Sequence, residues 1–447
     1  MLINDDADDR PAILDGEREI SYSDLRDLTE ATAARLSAVD PGLVLHLLGN
    51  DLDGVVGYLA AFESSRPIAL VDRRTDRMTV DELVAQYRPK LITGSVDHVP
   101  AGYAEAESAL VLQDDAPPVH PDLAVLLPTS GSTGSPKFVR LSRDAVLENA
   151  DAIGESLGID SDDRAPAHLP FFYSYGLSVL NSHLRAGAAV FPTDLSFMQR
   201  EFWNAFDKLA CTSLAGVPYS YEMLTRLRFD PAEHPTLRTM TQAGGKLADA
   251  RVREYHANAV EAGVRFFVMY GQTEATARMA VLPPDALPAK LGSVGRALPR
   301  GRFEIVDDEV VYSGPNVMMG YARGGENLAR GDELHGILHT GDLGRLDDDG
   351  YLWLTGRANR IGKVFGVRVS LDDIEALVAD APAGAVADGD RVVVFIESAD
   401  TAACRESART LAVRTRLPAP GLDVRSIEQL PRRANGKIDY SMLEELT

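Results

Sequence analysis

The chain has 447 residues, of which 45% are hydrophobic and 25% charged, and this predicts a folded protein of two or three domains. Acidic residues outnumber basic ones by 67 to 45, so the formal charge is −22 at pH 7. Such a charge repels phosphate backbones and anionic lipids, which disfavours nucleic acids and membranes as partners. No apolar run approaches the roughly 20 residues that cross a bilayer.

The cysteine content indicates a reducing compartment. Only Cys211 and Cys404 are present, which argues against a disulfide framework or a zinc site. The acidic start of the chain does not look like a secretion signal, so we expect a cytoplasmic protein. The negative charge does not exclude small anions, because a local group of amides and one lysine can bind a phosphate.

The first two thirds of the chain alternate short apolar runs with amphipathic segments of helical length. The predicted strands are Leu43–Leu48, Pro67–Val71, Leu123–Leu127, Ala188–Phe191 and Phe266–Met269. The predicted helices are Arg143–Leu157, Phe197–Leu209 and Ala248–Ala262. This alternation predicts helices packed on a mainly parallel sheet.

After Leu291 the pattern changes to short strands separated by Gly and Asp, which is typical of hairpins. The predicted strands of this part are Arg302–Val306, Glu309–Tyr312 and Tyr351–Leu354. The last stretch combines a helix near Asp372–Val378 with a strand at Arg391–Ile396, and a turn-rich bend at Gly356–Gly362 precedes it. We therefore predict an α/β fold with two domains. Residues 1–357 form a large domain of helix-flanked sheets plus a β-rich subdomain, and residues 358–447 form a small, mobile α+β domain.

A loop rich in glycine and hydroxyl residues follows the predicted strand Leu123–Leu127. It contains Thr129, Ser130, Gly131, Ser132, Thr133 and Gly134, and it ends at Lys137. Glycines let backbone N–H groups point inward, hydroxyls add donors, and the lysine adds charge, which together suit a polyphosphate. Pro136 before Lys137 breaks the Walker pattern, so a kinase or GTPase is disfavoured. A flexible hairpin is the structural alternative.

The string Thr-Ser-Gly-Ser-Thr-Gly-Ser-Pro-Lys at 129–137 resembles the phosphate loop of the adenylate-forming superfamily. That family includes acyl-CoA synthetases, peptide-synthetase adenylation domains and luciferases. Further motifs follow in the family's order: Gln-Ala-Gly-Gly-Lys-Leu at 242–247, Tyr-Gly-Gln-Thr-Glu at 270–274, His-Thr-Gly-Asp at 339–342, Gly-Arg at 356–357, and Pro-Arg-Arg-Ala-Asn-Gly-Lys at 431–437. The register of these motifs makes the resemblance far more specific than any one of them.

The resemblance implies a role for each motif. Tyr270 would stack on adenine, Thr273 would donate to phosphate, and Glu274 would bind Mg²⁺ through a hard oxygen. Lys437 would bridge the acid and the α-phosphate, so we expect Lys437, Thr273 and Glu274 to be catalytic. The remaining residues expected to bind the nucleotide are Gly244, Gly245, Lys246, Gly271 and Gln272 beside the base, Asp342 at the ribose, and Arg357 at the ribose or a phosphate.

The acyl pocket is predicted from the same resemblance. Its expected lining is Tyr173, Val217, Pro218, Gln242 and Gly271. Many thioester-forming relatives have His where Tyr173 stands, which leaves the gating of the pocket open. No Asp occurs between Leu169 and His183, which argues against an α-amino acid substrate. Lys246 is a candidate partner for a second carboxylate or a polar tail, and a solvent-facing lysine is the alternative.

The implied reaction uses ATP and Mg²⁺ to convert a carboxylic acid to acyl-AMP and pyrophosphate. The acyl group then passes to the thiol of CoA or of a carrier-protein phosphopantetheine, which would make an acyl carrier protein a partner. The family rotates its C-terminal domain between the two steps, and we place the hinge at Asn359 and the acceptor segment at 364–368. Capture of the adenylate by an amine and a non-catalytic nucleotide-binding scaffold are the alternatives. The acid, the acceptor, the pathway and the oligomeric state stay open.

Overall fold

The computed structural model describes the chain except residues 17, 108, 129–136, 358–359, 365–366, 379–380, 390, 399–406, 413–418 and 435. Of residues 361, 363, 367–368, 370, 373, 376 and 419 it describes the backbone alone. The fold is a mixed α/β structure in which several sheets carry helices on their faces. The predicted fold class is thus confirmed.

The strands and helices have the following bounds. The strands up to residue 216 are β1 (Pro11–Asp15), β2 (Arg18–Ser21), β3 (Val44–Leu48), β4 (Ile68–Asp72), β5 (Leu91–Gly94), β6 (Tyr103–Ala106), β7 (Ala109–Leu112), β8 (Leu123–Pro128), β9 (Phe138–Ser142), β10 (Arg164–Ala167), β11 (Ala189–Pro192) and β12 (Ser213–Gly216). The later strands are β13 (Thr239–Gln242), β14 (Arg265–Tyr270), β15 (Ala280–Leu282), β16 (Arg296–Ala297), β17 (Arg302–Val306), β18 (Glu309–Ser313), β19 (Gly320–Ala322), β20 (Ile337–Leu346), β21 (Leu352–Arg357), β22 (Ile361–Val364), β23 (Val367–Ser370), β24 (Ala383–Asp388), β25 (Arg391–Glu397) and β26 (Leu422–Ile427). The α-helices are α1 (Tyr22–Ser37), α2 (Leu52–Glu63), α3 (Arg77–Tyr87), α4 (Arg143–Leu157), α5 (Ser174–Arg185), α6 (Arg200–Lys208), α7 (Pro218–Leu227), α8 (Asp249–Glu261), α9 (Leu371–Ala376), α10, whose described residues are 407–412, and α11 (Tyr440–Glu445). Short 3₁₀ helices lie at Pro231–Glu233, Thr273–Ala275, Gly325–Asn327 and Ala419–Gly421.

The largest sheet has eight strands in the order β19-β9-β8-β4-β3-β5-β7-β6. Its centre is parallel, since β4 pairs with β3 and β8, and β3 pairs with β5. Strand β3 is buried along its whole length, as expected for a parallel strand covered on both faces. Strand β8 leads into the glycine-rich loop, and β9 brings the chain back antiparallel to it.

A second sheet has five strands in the order β12-β13-β14-β15-β16, of which β12, β13 and β14 are parallel. A third sheet, β10-β11-β1-β2, lies before it in the chain. Parallel strands bring their carboxyl ends to the same edge, and in such sheets this edge is where ligands bind. Three of the predicted motif segments, at 217–218, 242–247 and 270–274, follow the carboxyl ends of β12, β13 and β14.

The β-rich subdomain is a four-stranded antiparallel sheet in the order β17-β18-β20-β21. A two-residue turn joins β17 to β18, and both turn residues, Asp307 and Asp308, have positive φ. This is the geometry of the tight hairpins that match the strand twist. The sheet places Asp342 of β20 directly opposite Arg357 of β21.

The C-terminal region contains the hairpin β22-β23 and the three-stranded sheet β24-β25-β26. Its apolar residues form two clusters of their own, one around Val364, Leu371 and Val394, the other around Phe395 and Leu443. The four larger clusters contain residues from 2 to 354 only. Among the described residues, therefore, no hydrophobic cluster joins the C-terminal region to the rest.

Candidate active site

The ribose side of the predicted site is built around the carboxylate of Asp342. Its Oδ2 accepts a hydrogen bond from the hydroxyl of Tyr270, and its Oδ1 accepts one from Arg357 Nε at 2.9 Å. Asp342 is only 4% exposed. Burial and the adjacent carboxylate hold the pKa of Tyr270 far above its usual range, so its hydroxyl stays protonated and donates. The structure therefore brings three residues of three separate motifs together.

The phosphate side is organised by Tyr321. Its hydroxyl donates to Glu274 Oε1 at 2.8 Å, and the Lys137 ammonium lies 3.8 Å from the centre of its ring. Tyr321 thus contacts a carboxylate through its hydroxyl and a cation through its ring. Lys137, the last residue of the predicted phosphate loop, therefore contacts the same tyrosine as Glu274. This is the arrangement expected where a metal-bound polyphosphate meets a lysine.

Two glycines of the site are required by close packing. A side chain at Gly271 would collide with the carbonyl of Ala277. Gly244 has φ +83°, and a Cβ there would lie 2.5 Å from the Tyr173 hydroxyl and 3.1 Å from Val217. The chain therefore passes Tyr173 closely at Gly244, which is where the predicted pocket has its wall.

The other residues predicted beside the base occupy the same turn. Gln242 is 1% exposed, and its Nε2 donates to the carbonyl of Gly245 at 2.8 Å. Gln272 Nε2 donates to the carbonyl of Thr340 at 3.3 Å, which links the 270–274 motif to the β-rich subdomain. Lys246 is exposed. The structure therefore places Gln242 inside the wall of the site and Lys246 at its surface.

Tyr173 lies across the predicted acyl pocket. It is 8% exposed and caps the start of helix α5, while Val217 and Pro218 begin helix α7 on the opposite side. Ser174, the first residue of α5, contacts Thr273 through the two hydroxyl oxygens at 3.1 Å. The predicted pocket residues and the predicted phosphate residue Thr273 are therefore neighbours.

Lys437 enters this site from the C-terminal region. Its amino group lies 5.7 Å from the centre of the Tyr173 ring. The pKa of Lys437 falls to about 8, because burial and the nearby Arg357 disfavour the charged form more than Glu274 and Asp342 favour it. A lysine with these neighbours faces the phosphate, ribose and acyl parts of the site at once. An anionic ligand bound there would favour its charged form.

Polar contacts hold the segment that carries Lys437. Arg432 Nη2 pairs with Glu222 of helix α7 at 3.2 Å, and its guanidinium stacks 4.5 Å from the ring of Tyr219. Gly436 has φ +78°, and a Cβ there would lie 3.1 Å from Val217. Burial raises the pKa of Glu222, and Arg432 offsets part of this rise. Helix α7 therefore begins at the predicted pocket residues Val217 and Pro218 and also contacts the segment that carries Lys437.

Some predicted residues lie outside the described part of the chain. These are Thr129, Ser130, Gly131, Ser132, Thr133, Gly134 and the hinge candidate Asn359. Within the described residues no group of three or more His, Cys, Asp or Glu residues could hold a metal ion. A Mg²⁺ held by one carboxylate and by substrate phosphates needs no such group, and Glu274 fits that mode of binding.

Sequence reasoning missed three residues that shape the site. Tyr321 and Glu222 belong to no motif and act only through tertiary contacts. Arg278, four residues after Glu274, is 2% exposed in an otherwise apolar stretch. An arginine inside an apolar run was the one signal in the sequence that could have identified it.

Known proteins resemble the chain over most of its length. A family model described as AMP-binding enzyme matches residues 4–322. The chain belongs to the AMP-binding enzyme family. Among curated members it is 30% identical over 424 residues to an oxalate–CoA ligase of Arabidopsis thaliana, which covers 84% of this chain and 81% of that protein. It is 27% identical over 335 residues to a 2-succinylbenzoate–CoA ligase of Listeria monocytogenes, covering 72% and 70%.

Solved structures of AMP-binding enzymes share the fold. O-succinylbenzoate CoA synthetase of Bacillus subtilis, in complex with its acyl-adenylate intermediate, superposes with a TM-score of 0.76 at 22% identity, covering 96% of this chain and 94% of that one. ATP-bound MatB of Rhodopseudomonas palustris gives 0.80 at 23% identity, covering 99% and 96%. A large N-terminal and a small C-terminal domain are common to these folds.

Membership of this family confirms the predicted class of enzyme. The chain is an AMP-forming acid–thiol ligase that activates a carboxylic acid as its acyl-adenylate with ATP. Among the described residues no helix is both long and apolar enough to span a membrane.

Proposed function

We propose that this enzyme joins a small carboxylic acid to coenzyme A in two steps, with Lys437 serving the first step from its docked position. The relatives that share its family are CoA ligases for acids as different as oxalate, indoleacetate and 2-succinylbenzoate. The observation that carries the proposal is the buried ammonium of Lys437, 5.7 Å from Tyr173 and within the fields of Glu274 and Asp342.

In the first step a carboxylate oxygen of the acid attacks the α-phosphorus of ATP, and the bond to pyrophosphate breaks. Lys437 holds the acid and the α-phosphate together and offsets the charge that develops on the phosphate oxygens. Asp342 and Arg357 orient the ribose, and the Tyr270 ring packs against the base. Glu274 would hold Mg²⁺, which would supply positive charge to the leaving phosphates.

In the second step the thiol sulfur attacks the acyl carbon, and AMP leaves with the bonding electrons. We propose that residues 1–357 form the fixed core and residues 358–447 the moving domain. Asn359 is the proposed hinge, and the segment 364–368 would enter the site after Lys437 withdraws. The polar contact between Arg432 and Glu222, 3.2 Å long, suits an interface that forms and breaks in each cycle.

The cytoplasm is the proposed place of action, since the cell's reducing compartment keeps thiols such as the buried, unpaired Cys211 reduced. Coenzyme A is the proposed acceptor, and the phosphopantetheine thiol of an acyl carrier protein is the alternative. Both thiols end in the same chemical group, so the chemistry of the second step is identical. What differs is the protein surface that a carrier would have to contact.

A product assay tests the proposal. The enzyme is incubated with Mg-ATP and a panel of aliphatic, aryl and amino acids, and AMP, ADP and pyrophosphate are separated. We expect AMP and pyrophosphate with one class of acid, and a thioester when coenzyme A is added. Production of ADP would identify a phosphotransferase instead. A thioester formed on a phosphopantetheinylated carrier protein but not on coenzyme A would move the proposal to the carrier.

A further inference from the structure

Arg278 is a buried cation without an anionic partner. Within the described part of the chain no carboxylate lies at ion-pair distance from it, and its one side-chain hydrogen bond goes to Met269 Sδ at 3.5 Å. Its Nε is buried and has no hydrogen-bond partner there. The guanidinium stacks 4.8 Å from the ring of Tyr175. A stacked ring stabilises a cation only in part, so the charge is poorly compensated.

The fold does pair a buried guanidinium elsewhere. Arg140, which is fully buried, contacts Glu333 at 2.5 Å and the carbonyl of Met319 at 3.0 Å. Those contacts supply an anion and a carbonyl oxygen to one guanidinium. The contrast indicates that Arg278 is kept for a partner that the chain does not provide.

The position of Arg278 connects it with the acyl pocket. Lys437 Nζ lies 5.7 Å from the centre of the Tyr173 ring, and the centres of the Tyr173 and Tyr175 rings are 6.3 Å apart. The guanidinium of Arg278 in turn lies 4.8 Å from the centre of the Tyr175 ring. Tyr173, Tyr175 and Met269 belong to one apolar cluster with the pocket wall at Val217. The rings of Tyr173 and Tyr175 therefore form an aromatic column between Lys437 and the buried Arg278.

A small cavity lies at the Arg278 end of this column. Its volume is about 20 Å³, enough for roughly one water-sized group. Polar residues line it beside Arg278, among them His183, Ser213 and Thr241. Asp163 also lines it, and its carboxylate is paired with Arg238 at 3.0 Å. A cavity with a polar lining beside the apolar cluster of the predicted acyl pocket is what a substrate with a polar tip requires.

We propose that Arg278 binds a second anionic group of the acid, so that the preferred substrates are short acids with a carboxylate or similar anion at each end. The reacting carboxylate lies at Lys437, and the distal anion forms a bidentate pair with the guanidinium. Lys246, the candidate for this role in the sequence, is exposed and lies at the surface of the site. The inference rests on the proposed adenylation at this site.

The test compares acids that differ only in the distal carboxylate. Acid-dependent ATP–pyrophosphate exchange is measured for succinate against butyrate, glutarate against pentanoate, and adipate against hexanoate. We expect kcat/KM to favour one diacid over its matched monoacid by about 30-fold or more, since a buried charge pair is strongly discriminating. The length of the best diacid reports the span between Lys437 and Arg278.

The variant Arg278→Met should lose about 30-fold or more in kcat/KM for that diacid, mainly through KM, so that the diacid no longer exceeds the monoacid. Its melting temperature should be unchanged or higher, because a poorly compensated buried charge has been removed. Arg296→Met is the matched control. Arg296 lies on β16, which pairs with β15, the strand that follows Arg278, and it stacks 4.4 Å from the ring of Tyr351, but it is exposed. Arg278→Lys retains the charge and should keep part of the preference if the Met variant fails to fold.

Equal use of diacids and monoacids by the wild type would overturn the inference, as would an Arg278→Met variant that loses both to the same extent. In either case exchange with monoacids would leave the adenylation proposal standing. Absence of exchange with every acid would instead overturn the adenylation proposal and this inference together.

Discussion

At the scale of single residues, Lys437 combines burial with a lowered pKa. Its amino group is removed from water beside Tyr173, and its pKa falls from 10.5 to about 8 because burial outweighs the nearby carboxylates. Since an anionic acid and ATP favour the protonated amine, the free enzyme binds them best when Lys437 is charged. Under the proposed role of Lys437, we therefore expect its protonation state to limit the first step on the alkaline side.

This gives a pH prediction. The kcat/KM for acid-dependent ATP–pyrophosphate exchange should fall as the pH rises through about 8, because this parameter reports the free enzyme. The variant Lys437→Arg should retain some activity and shift the descending limb to much higher pH. A limb that stays near pH 8 in the Arg variant would assign the titration to another group.

Loss of fold does not explain such a limb. The pKa of Lys437 is lower in the folded state than the 10.5 of an ordinary lysine. Between these two values the unfolded chain binds more protons, so deprotonation of Lys437 adds to stability as the pH rises. A melting temperature measured across the same pH range separates the two effects.

The site residues that could be predicted from the sequence are those that lie in local motifs. Tyr270, Glu274, Asp342 and Lys437 lie in strings of recognisable residues, and the structure brings them into one site. Tyr321, which contacts both Glu274 and Lys137, lies far along the chain in a strand that no motif marks. Arg278 was missed because the sequence does not show that, among the described residues, its buried guanidinium has no carboxylate at ion-pair distance.

At the scale of elements, helix α7 has two tasks. Its first turn forms part of the pocket wall, and Glu222 on the next turn pairs with Arg432 of the Lys437 segment. Both partners are partly buried, with 30% of the Glu222 side chain and 13% of the Arg432 side chain exposed. Removing one partner leaves the other charge poorly solvated, which disfavours the docked state.

We therefore predict that Glu222→Gln slows the first step selectively. Exchange of pyrophosphate should fall by up to about tenfold, while thioester formation from added acyl-adenylate should be unchanged or faster. Arg226→Gln is the control, since its contact with Glu397 at 3.5 Å involves a side chain that is 59% exposed. Such exposed pairs contribute little. Equal slowing of both steps by Glu222→Gln would contradict the docking role.

The ends of a helix could be predicted from the sequence where capping residues mark them. Helix α4 begins and ends as predicted, with Ser142 accepting from Ala145 at one end and Gly158 in the left-handed region at the other. Helix α6 begins at Arg200 and not at Phe197. The apolar periodicity included Phe197, which is buried but lies in a turn that Ser196 and Gln199 close.

Strand β21 shows why the apolar alternation can fail to predict a polar residue at the end of a strand. The apolar alternation predicts an end at Leu354, yet the strand continues to Arg357 through its pairing with Asp342 on β20. The last residues of the strand are held by the ladder and by an ion pair of 2.9 Å, and neither leaves an apolar signal. The alternation of apolar residues alone therefore cannot predict the polar end of a strand that contributes to a site.

At the scale of the whole molecule, apolar packing and catalysis divide the chain differently. The hydrophobic clusters separate residues up to 354 from those after 364, whereas the site joins Lys437 to Tyr173 across that division. Polar contacts, such as the one between Arg432 and Glu222, connect the C-terminal region to the rest of the described chain. An enzyme of two chemical steps can therefore hold Lys437 in place for one step and release it for the other.

The α/β class and the alternation of elements were predictable, because buried parallel strands such as β3 are nearly continuous apolar runs, here interrupted only by His46. The docking of the C-terminal region was not, since it depends on a few long-range polar contacts such as Arg432 with Glu222. Nor could the sequence identify the acid, because the proposed selectivity depends on how residues such as Tyr173, Tyr175 and Arg278 meet in space.

The two steps measured separately in Lys437→Ala test the central claim most directly. Acid-dependent ATP–pyrophosphate exchange should fall on the order of 10²–10³-fold or more, because a preorganised charge at the reacting phosphate is lost. Thioester formation from coenzyme A and chemically prepared acyl-adenylate should stay within about tenfold of the wild type, because Lys437 takes no part in it. Retained exchange, or equal loss of both steps, would contradict the account.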